Sequence, residues 1–274
     1  MNYKKALISN ITQTKIDELN IEQKEYDNLD YILFLKNNGE TSIQTIVDLN
    51  LHGSYMYYYD FLKKRYHINI ADNFILNDIR TLKCEDKFLE IYNLYKSNKF
   101  VVIPLCIIYH YKITQNEYGH GHANVLVLHN NLLEHYDPHG KYNVNKIIYN
   151  LNFLHKKLKK YIPKLILKTS TQIHKNKEGF QTIETKSSIV VNDGGGSCVA
   201  WCSLFCELLL NNKKLSSDEV INIISDIFRT NKIDLKYIIT GYRNIHAKNL
   251  EDFNFNNSCY YHLRYYDEYI KKFF

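Results

Sequence analysis

Three prolines and ten glycines in 274 residues are too few for a collagen-like, linker-like or low-complexity chain. Long apolar runs are missing too: nothing approaches the roughly 20 residues that a bilayer-spanning helix needs. The opening stretch MNYKKALISNITQ carries no apolar core of the kind that makes a signal peptide. The net charge of +6 is mild and spread along the chain without a Lys/Arg block, so no dedicated nucleic-acid surface is expected. Cysteine occurs six times, at 84, 106, 198, 202, 206 and 259. With no secretory leader in view, these are expected as free thiols in a reducing compartment rather than as a disulfide framework. Together these absences predict a soluble cytoplasmic protein that engages neither membrane nor nucleic acid.

What is present is the composition of a folded domain, long enough for one large unit or for a catalytic domain with an added lobe. Up to about residue 95 the texture is helical, with expected helices over 16–35, 41–51 and 87–95. From Phe100 it changes: 101–109 is a short β-branched run that suits a buried strand. Ala123 to Leu128 and Leu132 to Tyr136 are two further apolar runs, joined by a plausible hairpin turn at His129-Asn130-Asn131. A basic amphipathic helix is expected over 147–161, then strands at 165–168 and 188–191. Ser216-Ser217-Asp218-Glu219 is a capping box opening another helix, and 232–245 and the Tyr-rich tail read as helical. Helices flanking a central set of strands make the class α+β.

The most distinctive stretch is Asp193-Gly194-Gly195-Gly196-Ser197-Cys198-Val199-Ala200-Trp201-Cys202. Cys198 follows three glycines and opens a run, as far as Leu210, that is apolar nearly all round, the mark of a helix buried inside a domain. A thiol in the first turn of such a helix meets unpaired backbone N–H groups and the positive end of the helix dipole, and both favour thiolate. The glycines let the backbone aim N–H groups at a developing oxyanion. Cys202 and Cys206 follow at spacings of four and lie deeper on the same helix, where burial keeps a thiol protonated.

His122 and Asp137 stand at the outer ends of the two hairpin runs, seven and eight positions from residue 129. A turn centred on His129-Asn130 would set them opposite each other on one face of the ladder. A carboxylate there can hold one imidazole nitrogen and leave the other to act as base, the logic of catalytic triads on any fold. Pro138 directly after Asp137 ends the strand and fixes the carboxylate at the sheet margin. Gln181 precedes Cys198 and offers a side-chain amide that can donate to an oxyanion. A reading of a different class is a zinc-binding interaction module: His120, His122, His135, His139 and the cysteines are ligand types zinc accepts, but their spacing is poor for a zinc site.

The order His122, Asp137, Gln181, Cys198, in its local contexts, resembles the clan of ubiquitin-like-protein proteases, which includes SUMO proteases, adenovirus-type proteases and effector deubiquitinases. The segments that carry it are His122-Ala123-Asn124-Val125-Leu126-Val127-Leu128, Glu134-His135-Tyr136-Asp137-Pro138-His139-Gly140, Gly179-Phe180-Gln181 and Asp193 to Trp201. His-Ala-Asn with Asp-Pro-His-Gly, and Gly-x-Cys-x-Ala-Trp, look most like the members found in large DNA viruses. The resemblance covers residues 96–245 and departs from SUMO proteases in having Ala123, not Trp, after the histidine. It implies a papain-like cysteine proteinase fold: a central mixed sheet flanked by helices, with a buried central helix starting at the nucleophile. Residues 1–95 would be an N-terminal helical region for substrate or partner binding, and 96–274 the catalytic domain. It further implies a deubiquitinase-like isopeptidase with nucleophile Cys198, base His122, orienting Asp137 and oxyanion donor Gln181, needing no cofactor or metal. Its partners would be ubiquitin or a ubiquitin-like modifier and their conjugates. Within the clan the alternatives are a viral polyprotein-processing protease and an acetyltransferase.

Overall fold

The computed structural model describes residues 27–40, 54–71, 74–75, 85–108, 121–140, 145–175, 177–187 and 197–248. The expected helix at 41–51, the strand at 188–191, the three glycines before Cys198 and the Tyr-rich tail lie outside these residues. The chain begins with α1 (Asn28–Glu40), α2 (Ser54–Tyr66), β1 (Asn69–Ile70), β2 (Phe74–Ile75) and α3 (Glu85–Asn98). The strands β3 (Phe100–Ile108), β4 (Gly121–His129) and β5 (Leu132–Tyr136) follow, then α4 (Asn145–Leu158), β6 (Ile166–Lys168) and α5 (Ser170–Ile173). Four more helices complete the described chain: α6 (Phe180–Ser187), α7 (Cys198–Asn211), α8 (Ser217–Thr230) and α9 (Leu235–Lys248).

The α+β class expected from the sequence is what forms. Six strands make one mixed sheet: β3, β4 and β5 run antiparallel, while β1 and β2 lie parallel to β3 and β6 lies parallel to β5. β1 pairs with Val101 and Val102, and β2 with Leu105 and Cys106. The break between them falls at Ile103-Pro104, where proline has no N–H for a neighbouring strand.

Alternation along β4 sends Val125 and Val127 to one face, against α7, and Leu126 and Leu128 to the other. The second face is covered by α3 through Phe88, Ile91 and Tyr95, and by α4 through Leu151, Leu154 and Leu158. On the first face α7 is buried at every position from Ala200 to Leu210, as its all-round apolar sequence requires. Around it stand α8, α9 and also α1 and α2, whose Tyr31, Ile32, Leu35, Tyr58, Tyr59 and Leu62 join the same core as Trp201 and Phe205. The stretch before residue 96 thus contributes to both faces of the sheet, and α3 leads into β3 through the single residue Lys99.

Two local devices set the geometry near the sheet. The predicted capping box opens α8: Glu219 Oε2 accepts from Ser216 N at 2.8 Å and from Ser216 Oγ at 2.7 Å. Buried Glu134 ties the hairpin to that same helix start, accepting from His129 Nε2 at 2.6 Å and from the Ser217 hydroxyl. No helix among the described residues is long and apolar enough to cross a membrane.

Candidate active site

The hairpin that carries His122 and Asp137 turns one residue later than its sequence suggests. His129 pairs with Leu132 in the ladder, so the loop is Asn130-Asn131 alone. Both asparagines are left-handed, with φ of 47° and 60°, the conformation that a two-residue type I′ turn demands and that asparagine tolerates. This moves the register by two positions, and a shift of two preserves the face. Asp137 therefore lies diagonally from His122 rather than opposite it, still on the same side, and the two close to 3.0 Å between Nε2 and Oδ1. The same diagonal recurs one step inward, where His135 Nε2 meets Asn124 Oδ1 at 2.8 Å.

Cys198 opens α7 as expected and reaches the other side of the His122 ring, to which its thiol is hydrogen-bonded. With Nε2 given to Asp137, Nδ1 is the nitrogen left for the sulfur. The backbone N–H of Ala123 points at Cys198 Sγ from 3.5 Å, and the N–H of Val199 adds a second donor from the helix itself. Burial works against a charged His122, but the hydrogen bonds to Asp137 and Cys198 and their negative charge outweigh it and lift the imidazole to about 10. Burial likewise opposes the thiolate, yet the His122 ring and the Ala123 and Val199 amides bring the thiol below its ordinary range. Asp137 is held below the usual carboxylate range: burial opposes this, and His122 and the His139 N–H, at 2.8 Å from Oδ1, outweigh it. All three shifts favour the charged forms: thiolate, imidazolium and carboxylate. Cys202 behaves otherwise: burial pushes its thiol well up, and it donates to Ala123 O at 3.5 Å.

Gln181 sits in the first turn of α6, a short helix that the sequence pattern did not disclose. Tertiary bonds create that helix start: Gln181 N donates to Pro138 O at 3.0 Å and Gly179 N to His139 O at 2.8 Å. The turn after Asp137 can approach so closely because Gly140 has φ of 83°, and a Cβ there would lie 2.2 Å from Gly179 N. One turn on from Gln181 and on the same helix face, Glu184 Oε2 accepts from Ser197 Oγ and from Trp201 Nε1, each at 2.7 Å. That pair of bonds fastens α6 to the first turn of α7. Gln181 is buried, and its Oε1 has no hydrogen-bond partner among the described residues.

Three side chains of the predicted quartet, His122, Asp137 and Cys198, are therefore in one hydrogen-bonded chain, and the fourth stands on a helix bolted to the first turn of α7. No family model, no curated protein and no solved structure matches this chain.

Sequence reasoning missed the supports. Ser170 accepts from Asp137 N at 3.0 Å and donates to Gly140 O at 3.0 Å, stapling the turn that holds the carboxylate. The His139 ring lies tilted over His122 at 31°, with ring centroids 4.6 Å apart. The compact Asp-Pro-His-Gly turn, with a proline and a glycine flanking one side chain, was the available signal. Among the described residues no cluster of His, Cys, Asp and Glu is placed to hold a metal ion.

Proposed function

We propose that this protein is a cysteine-type hydrolase of the papain-like, ubiquitin-like-protease kind that releases ubiquitin or a ubiquitin-like modifier from its conjugates. The observation that carries the reading is the His122 ring, bonded through Nε2 to Asp137 and flanked on its other side by the Cys198 thiol at the start of a buried helix. The choice of substrate class comes from the order of the motifs, His122, Asp137, Gln181, Cys198, and from the segments around them.

In the reaction, the Cys198 thiolate attacks the carbonyl carbon of the modifier's terminal glycine. The carbonyl oxygen takes up negative charge, and the Gln181 side-chain amide and the Cys198 backbone N–H supply its hydrogen bonds. As the tetrahedral intermediate collapses, the C–N bond breaks and His122 gives its proton to the departing amine, leaving a thioester. His122, now neutral, takes a proton from water. The hydroxide adds to the thioester, the C–S bond breaks, and the acid and the thiolate–imidazolium pair are restored. Asp137 keeps the ring in one orientation throughout and stabilises its charged form. A reducing cytoplasm is the setting in which an ionised thiol of this kind stays usable.

Ubiquitin- and SUMO-derived electrophilic probes test the proposal. Wild-type protein should form a covalent adduct with one of them, and Cys198→Ala and His122→Ala should not. Labelling that survives Cys198→Ala overturns the site. Robust cleavage of other peptides with no reaction toward either probe would replace the modifier reading with polyprotein processing, and acyl transfer to lysine with an acetyltransferase.

A further inference from the structure

The triad and Gln181 leave one neighbouring side chain without a role. His139 is fixed at three points to the machinery around it. Its backbone N–H donates to the same Asp137 Oδ1 that receives His122 Nε2. Its carbonyl accepts from Gly179 N at 2.8 Å and from Thr182 Oγ1 at 3.3 Å, at the start of the helix that carries Gln181. Its ring lies over the His122 ring at 4.6 Å and 31°, and Nδ1 is held at 3.0 Å by Thr182 Oγ1.

We infer that His139 is a positioning residue: laid over His122 and braced from behind by Thr182, it locks the imidazole in the plane that reaches Asp137 and Cys198 at once. The inference rests on the proposed thiol chemistry and adds to it. An imidazole held at its edge alone, by one carboxylate oxygen and one sulfur, can rock about its bond to the carboxylate. Rocking swings Nδ1 away from the sulfur, and the thiolate then loses its main stabilising partner. A flat ring against one face prevents that motion and keeps water off the same face. Stacking against an imidazolium also favours a neutral ring over a second cation. Burial and the charge on His122 depress the His139 pKa accordingly, outweighing Asp137, which acts in the opposite direction. The bond from Thr182 ties this brace to α6, so the residue beside the oxyanion donor and the cover of the base move as one piece.

The test needs no substrate. The rate of iodoacetamide alkylation at Cys198, read by mass spectrometry of its peptide, is followed against pH for wild type, His139→Ala, His139→Phe and Thr182→Val, with thermal melting of each. His139→Ala should shift the alkylation profile to higher pH by about one unit, a roughly tenfold loss of thiolate well below the midpoint. His139→Phe keeps a flat ring over His122 but loses the bond to Thr182, and should shift the profile no further than Thr182→Val does. Thr182→Val should shift it in the same direction by less, which keeps the test open should His139→Ala fail to fold. A profile that His139→Ala leaves in place overturns the inference, as does a His139→Phe profile displaced as far as that of His139→Ala. A wild-type profile with an ordinary thiol midpoint, unmoved by His122→Ala, sinks the thiol–imidazole reading itself; a depressed midpoint indifferent to His139 sinks only the brace.

Discussion

A sulfur nine-tenths buried is a poor nucleophile unless something stabilises its negative charge, and at Cys198 that task falls chiefly to one ring. Removing the ring should therefore do more than remove a base. In His122→Ala the burial penalty stands unopposed except by the Ala123 and Val199 amides, and the thiol midpoint should move from below the ordinary range to above it. Thiolate absorbance near the ultraviolet edge, titrated in both proteins, checks this; equal midpoints would refute it. The proposed hydrolysis has a second limit. His122 must be protonated to expel the amine, so with the imidazole at about 10 the rate should hold through the neutral range and fall as pH rises past that value. The residue scale was also where the sequence was most legible. Glycines followed by a cysteine and an apolar run specify a thiol at a helix start, whatever lies around it. His139, Thr182 and Ser170 were not legible, because nothing about a lone histidine or hydroxyl says which ring or turn it will meet.

Helices and hairpins bring these residues together through contacts of short range. β5 formed over the residues expected, since its composition and the flanking Asn and Pro agree. The turn was misplaced by one residue, and the site survived because that moves the register by an even number. α6 escaped notice for a different reason: only eight residues long, it is held by carbonyls of Pro138 and His139 and by the acceptor side chain of Glu184, not by its own periodicity. α2 was hidden by its tyrosines, which read as polar or apolar depending on burial, while Tyr58, Tyr59 and Leu62 form its inner face. One helix pair permits a direct test. α1 and α9 touch backbone to backbone, and a Cβ on Gly241 would lie 1.8 Å from Leu35 O. Gly241→Ala should force the helices apart and cost about 1–3 kcal/mol, measured by denaturant unfolding. An unchanged midpoint would show that the contact is not so tight.

At the scale of the whole molecule, α7 is the axis against which α1, α2, α8, α9 and the sheet are packed. It carries a buried carboxylate near its far end: Glu207 Oε1 accepts from Tyr66 OH at 2.8 Å and lies 3.3 Å from Arg65 Nη1 on α2. Arg65→Met leaves that carboxylate without its cation, and a loss of about 3–5 kcal/mol in unfolding free energy is expected. Stability should also depend on acid. His135 and His174 are pushed down to about 4 and His246 to about 3 by burial. In the unfolded chain each takes a proton near 6.5, so between that value and 4 the unfolded state binds more protons and folding loses ground as pH falls. Thermal midpoints should drop steadily from pH 7 to pH 5, and a flat profile would mean that these rings are not buried as neutral species.

By itself the sequence determined the α+β class, the buried helix that starts at Cys198 and the hairpin that carries His122 and Asp137. Each follows from periodicity, turn residues and capping within a few positions of the chain. Tertiary structure decided the rest: that the carboxylate meets the imidazole on a diagonal, that a short helix stands where Gln181 is, and that His139 covers the base. Those outcomes depend on register, on a left-handed glycine admitting a distant backbone, and on bonds between residues tens of positions apart, which no local pattern encodes.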